Sequence, residues 1–182
     1  MTKPAGSGMR LTQATSLLNV SGASDISFSG VSFDGVRGSA ITLRDSSDVV
    51  VRDGAIRFAG LNAFNVSGGE RCGIDNMTVS AGGQGCVVLD GGDRTTLTSS
   101  NHFVNDSHVS ECQRWTKNYA PHVTMAGVGQ SVSRSELVDS PQQIIFVMGN
   151  DHVLQDSTVI NATMQCSGIH LTIPDHVCEF LR

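Results

Sequence analysis

Lysine is nearly absent: the 182-residue chain has two, Lys3 and Lys117. Charged residues of all kinds make up 16%, and the net charge is −5. A protein that grips a nucleic-acid backbone or an anionic membrane needs a basic stripe, so neither is expected as a main partner. No apolar run approaches the ~20 residues needed to cross a bilayer. The opening MTKPAGSGMR also lacks the apolar stretch of a signal peptide. Helix formers are sparse, whereas Gly, Ser, Thr, Asn and Asp abound, which is the makeup of many short strands joined by many turns.

Cysteine chemistry is equally thin. Cys72, Cys86, Cys112, Cys166 and Cys178 are odd in number, show no CxxC spacing and lack the His or carboxylate companions of a zinc site. The expectation is free thiols, no metal and no cofactor. Five N-x-S/T triplets, at Asn19, Asn65, Asn76, Asn105 and Asn161, point instead toward a secreted parent protein.

What the chain does have is a repeat. Leu18, Ile41, Phe64 and Val87 are separated by 23 residues each time, and the next steps, to Val123, Ile145 and Ile169, are 36, 22 and 24. Two residues further on, Val20, Leu43, Val66, Leu89, Met125, Val147 and Leu171 form a second apolar column. Side chains alternate across a strand, so both columns point to one interior. The apolar runs are too short for helices and end at Gly-rich turns such as Ser67-Gly68-Gly69 and Asp90-Gly91-Gly92. This spacing predicts an all-β chain, a right-handed parallel β-helix of about seven turns of roughly 23 residues. Residues 1–11 read as an N-terminal tail, 12–174 as the solenoid and 175–182 as a C-terminal tail. The long step is expected to carry a loop at about 104–120. Neither end shows a cap, so the chain reads as a slice of a longer protein.

Between the inward columns lie outward positions, where a ligand would rest: Asn19, Thr42, Asn65, Val88, Thr124, Phe146 and His170. A second outward column is expected at Ala40, Ala63, Cys86, His122 and Ile144. The only Trp and the only Tyr, Trp115 and Tyr119, fall in the long loop beside Glu111, Arg114 and Lys117. Aromatic rings beside hydrogen-bonding groups suit sugars, which present apolar C–H faces and a rim of hydroxyls. Arg114, Trp115, Tyr119, Thr124 and Phe146 are therefore the candidate substrate-binding residues. Asp139, His122 and His170 are the candidates for proton transfer. Asp139 and Lys117 each precede a strand by six residues and are expected to neighbour each other.

The stretch from Gly91-Gly-Asp-Arg-Thr-Thr-Leu through Tyr119-Ala-Pro-His-Val and Gly127-Val-Gly to Asp139-Ser-Pro-Gln-Gln-Ile-Ile and Gly149-Asn-Asp-His resembles a right-handed parallel β-helix repeat family of the pectin-lyase-like superfamily. That resemblance implies glycoside hydrolases, polysaccharide lyases and epimerases as relatives, and a polysaccharide or oligosaccharide as partner. Two positions depart from the pattern. Gln142 follows Pro141 where a histidine is expected, and Cys166 stands where the pattern carries an aspartate. An amide and a thiol do not exchange protons as an imidazole and a carboxylate do near neutral pH. The expectation is a carbohydrate-associated β-helix, a fragment or diverged copy of a polysaccharide-active enzyme with little or no turnover. The alternative is an active glycoside hydrolase or polysaccharide lyase working along the outward strand face.

Overall fold

A computed structural model describes residues 12–162. Among these there is no helix; fifteen strands wind into one parallel solenoid of three faces. The first face stacks Leu18–Ser21, the opening of Ile41–Ala59, then Phe64–Glu70, Val87–Gly91, Val123–Val128 and Ile145–Asn150. The second carries Ser24–Ser29, Phe103–Asn105, Ser131–Ser133 and Val153–Gln155, and the third Ser32–Val36, His108–Ser110, Glu136–Val138 and Thr158–Ile160. Ile41–Ala59 and Gly73–Ser80 are long because their chains pass from one face to the next without losing strand pairing. Parallel strands joined by crossovers wind right-handed, because strand twist fixes that sense.

The period of 23 is the register of the first face. Ile41 pairs with Phe64, Phe64 with Val87, Val87 with Val123 and Val123 with Ile145. All are buried, and Phe64 is fully enclosed at 0% exposure. Six strands stack on this face, so the described residues make about six turns. The seventh strand expected around Gly168–Leu171, with Ile169, lies outside the described residues.

Three expectations are corrected. First, Ala40, Ala63, Cys86, His122 and Ile144 do not face outward; all are buried. They sit at the corner leading into the first face, where the bend resets side-chain direction, so strand alternation cannot be extended back through them. Second, residues 104–120 are not a single loop, because the strands at Phe103–Asn105 and His108–Ser110 run through them. Val66 pairs with Leu89, 23 residues on, but Gly73 pairs with Phe103, 30 on, so seven residues enter between the first and second faces. The remaining six enter between Ser110 and Val123, because Val87 and Val123 lie 36 apart. Third, Cys86 and Cys112 form a disulfide, with Cα atoms 5.6 Å apart, and Cys72 is the free thiol among the described residues. Cys166 and Cys178 lie outside them.

Corners repeat as strictly as strands. Asp25, Asp48, Arg71, Asn101 and Asp151 turn from the first face to the second with φ of 58°, 56°, 51°, 54° and 55°. Asp53, Asn76, Asp106, Arg134 and Asp156 turn into the third with φ between 47° and 57°. Phe58, Ala81, Glu111, Asp139 and Asn161 end that face with φ from 51° to 59°. Left-handed residues recur at every corner, in some with a second one close by as Asp45 is to Asp48, and this explains the wealth of Asp and Asn, which tolerate that conformation. Where arginine occupies it, an ion pair holds it to the equivalent residue one turn back. Arg71 forks onto Asp48 at 2.7 Å, and Arg134 onto Asp106 at 2.7 and 2.8 Å.

Inside two corners the core turns polar and forms ladders. The backbone N–H of Cys72 donates to His102 Nδ1, that of His102 to Gln130 Oε1, and that of Gln130 to His152 Nδ1. Next to it, the N–H groups of Met77, Ser107 and Ser135 donate to the hydroxyls of Ser107, Ser135 and Ser157, each at 3.1 Å. Buried backbone groups at a corner lose their strand partners, and these side chains replace them.

Candidate functional site

The six residues inserted after the third face create the one large departure from the repeat on the side leading into the first face. Their start is pinned by the Cys86–Cys112 disulfide. Beyond it the chain pairs with the turn below: Gln113 N–H donates to Gln84 O at 2.6 Å, Arg114 to Gly82 O at 3.1 Å and Trp115 to Gly83 O at 2.8 Å. Gly83 is the seat of the indole, because a Cβ there would collide with Trp115 Cδ1 and Nε1. Only glycine lets the ring lie down on the corner.

Trp115 remains 69% exposed, and beside it Phe58 is 51% exposed. Phe58 ends the third face two turns earlier, and its left-handed φ of 55° turns the ring outward. The Arg114 guanidinium lies over both rings, 5.4 Å from the centre of Phe58 and 5.9 Å from that of Trp115. A cation over ring faces is stabilised by the aromatic quadrupole. Tyr119 lies further along the insertion, its N–H bonded to Gln142 Oε1, with the ring outermost at 81% exposure.

These residues border a chain of three clefts. The first, about 410 Å³, is lined by Thr15, Ser16, Ser39 and Thr42, together with Arg37 and Leu61. Arg37 and Leu61 also line the second, about 640 Å³, with Phe58, Gln84, Arg114, Trp115 and Thr116 among its walls. Gln84 and Thr116 pass on to the third, about 240 Å³, beside Asn62, Val88, Tyr119 and Thr124. Shared walls make one trough along the corner that leads into the first face. No Asp or Glu lines any of the three.

The anticipated site residues are divided by this geometry. Arg114 and Trp115 line the large cleft, and Tyr119 and Thr124 the small one. Phe146 pairs with Thr124 in the next strand but lines none of the three clefts. Arg114 and Trp115 thus share a cleft with Arg37, Phe58 and Leu61 of the earlier turns, and not with Phe146, the outward position expected to bind ligand beside them. Asp139 turns the third corner, one turn above Glu111, and its Oδ1 accepts from Asn161 Nδ2 at 2.9 Å. Lys117 forms no ion pair with it among the described residues. His122 is fully buried; its Nε2 lies 2.9 Å from Val138 O, and Nδ1 has no partner among the described residues. Burial pushes its pKa down to about 4, against the opposing pull of the Val138 and Asp139 carbonyls. His170 lies outside the described residues.

Arg37, Phe58, Leu61 and Gln84 were not anticipated. The available signal was the 23-residue period itself, applied to the third face as well as the first. Stepping that face shows that Phe58, Ala81, Glu111 and Asp139 are equivalent corner positions.

A family model described as the right-handed beta helix region matches residues 16–172. No curated protein and no solved structure matches the chain.

Proposed function

The chain belongs to the right-handed β-helix family, and from that premise we propose that it binds an oligosaccharide in the trough beside the insertion and does not cleave it. The observation that carries this reading is the exposed platform of Phe58, Trp115 and Tyr119 along a trough whose other walls mix amides, hydroxyls and arginines with apolar residues such as Leu61, Val88 and Pro121. Rings of this kind stack on the C–H faces of sugars, while Gln84, Asn62, Thr116 and Thr124 offer hydrogen bonds to hydroxyls. Glycosidic hydrolysis by the usual route needs two carboxyl groups about 5–9.5 Å apart across the bond, and the trough offers none. His122, next to Pro121 in the trough wall, is enclosed in the core.

Titrating Trp115 fluorescence with neutral and acidic oligosaccharides tests binding, because this is the only Trp in the chain. A saturable change that vanishes in Phe58→Ala is the expected result, and silence toward every sugar refutes the reading. A second reading, glycoside hydrolysis, draws on one observation: Glu111 and Asp139 occupy equivalent corners of adjacent turns, ~4.8 Å apart along the stack. Reducing-end and unsaturated-product assays on plant, algal and animal polysaccharides separate the two. No turnover is expected, and turnover lost in Asp139→Asn would restore the enzyme.

A further inference from the structure

We infer that Asn19 is an N-glycosylation site, which takes an oligosaccharide from a lipid-linked donor onto its Nδ2. Two independent features point to a compartment where that transfer occurs. The chain carries five N-x-S/T triplets, at Asn19, Asn65, Asn76, Asn105 and Asn161. It also joins Cys86 to Cys112, a bond that persists in the oxidising compartments of secretion. The transfer links Nδ2 to the anomeric carbon of the donor sugar. The bond from that carbon to the pyrophosphate oxygen breaks, its electron pair leaves with the lipid pyrophosphate, and the amide gives up one proton.

The fold sorts the five triplets. Asn19 and Ser21 flank Val20 in one strand, so both point outward and are exposed while Val20 faces the core. Asn19 Oδ1 accepts from Ser16 Oγ at 3.0 Å, and its Nδ2 makes no hydrogen bond among the described residues. Leu18–Ser21 pairs on one side only among those residues, which leaves room for a branched glycan. Asn65 has the same alternation but sits half-buried between Thr42 and Val88. Its Nδ2 donates to Ser39 Oγ at 3.0 Å, and its Oδ1 accepts from Asn62. The Asn105 triplet ends in Ser107, which is buried with its hydroxyl accepting from Met77 N–H. Asn76 and Asn161 are exposed corner residues, but each Nδ2 is committed to a carboxylate one turn back, Asp53 or Asp139. A glycan at Asn19 therefore stands in solvent and costs the fold no hydrogen bond.

The test expresses the full chain behind a cleavable secretion leader in a eukaryotic host and recovers it from cells and medium together. Peptide-N-glycosidase in heavy-oxygen water converts each glycosylated asparagine to a labelled aspartate, and mass spectrometry of the peptides reads every site. Label at Asn19 well above that at Asn65 and Asn105 is expected, with a chain that migrates faster after the enzyme. Ser21→Ala should bring the Asn19 label down to background. Ser21→Thr should keep it, because threonine supplies the same hydroxyl. An unlabelled Asn19 overturns the inference, as does label at Asn65 as heavy as at Asn19, or label at Asn19 that survives Ser21→Ala. None of these outcomes depends on the binding proposed for the trough.

Discussion

Mild acid should loosen this protein before its carboxylates begin to protonate, and His122 sets the size of the effect. Its folded pKa of about 4 lies below the ordinary 6.5. Between these values the unfolded chain binds a proton that the folded chain refuses, so stability falls as pH drops from about 6.5 to 4 and then levels. The gap of roughly 2.5 units is worth about 3 kcal/mol. His102 and His152 are likewise pushed down by burial and act in the same direction. Protonating either Nδ1 would also remove the acceptor for the N–H of Cys72 or Gln130. Asp48, Asp53 and Asp106 are held below 3.8 by their hydrogen bonds with Arg71, with Asn76 and Ser29, and with Arg134. Their contributions are lost only as pH falls further, which separates the two windows. Melting followed by circular dichroism from pH 7.5 to 4 should show Tm falling by about 6–12 °C, at roughly 2–4 °C per kcal/mol for a chain of this size. His122→Gln keeps a donor for Val138 O and should remove much of that slope. A flat Tm across this range, or an unchanged slope in His122→Gln, would refute the argument.

Phe64→Ala should cost about 3–5 kcal/mol in chemical denaturation, because the ring is fully enclosed between Ile41 and Val87. A loss under ~1 kcal/mol would deny the stack. Reducing Cys86–Cys112, or replacing both with serine, should cost about 3 kcal/mol, since the bond closes a separation of 26 residues. The same treatment should raise protease cleavage between Cys112 and Pro121, and an unchanged Tm with and without reductant would count against the bond. Ser135→Ala should cost about 1–3 kcal/mol by stranding the buried N–H of Ser107, whereas Ser135→Thr should recover part of it.

The first face was legible because it obeys two rules that need no third dimension. Strand side chains alternate, and in a solenoid each residue meets its equivalent one turn away. Leu18, Ile41, Phe64 and Val87 therefore announce the register on their own, and the 36-residue step announces an insertion. The same arithmetic could not divide that insertion, because it counts residues between strands of one face and is blind to the two faces between.

Only the tertiary structure decided what happens at the corners. Left-handed residues redirect the chain ahead of the first face, Ala81 before Cys86 and Glu111, Gln113 and Tyr119 before His122, and both side chains, outward by alternation, turn into the core. Pairing of Cys86 with Cys112 depends on the insertion doubling back over the previous turn, which no cysteine spacing encodes. The trough depends on the same event. Phe58 and Arg37 belong to the early turns, Arg114 and Trp115 to the insertion, and they share a wall because Gly83 leaves room for an indole on the stack. Periodicity determines which residues repeat. The place where the repeat is broken is set by packing, and there the exposed rings of Phe58, Trp115 and Tyr119 collect.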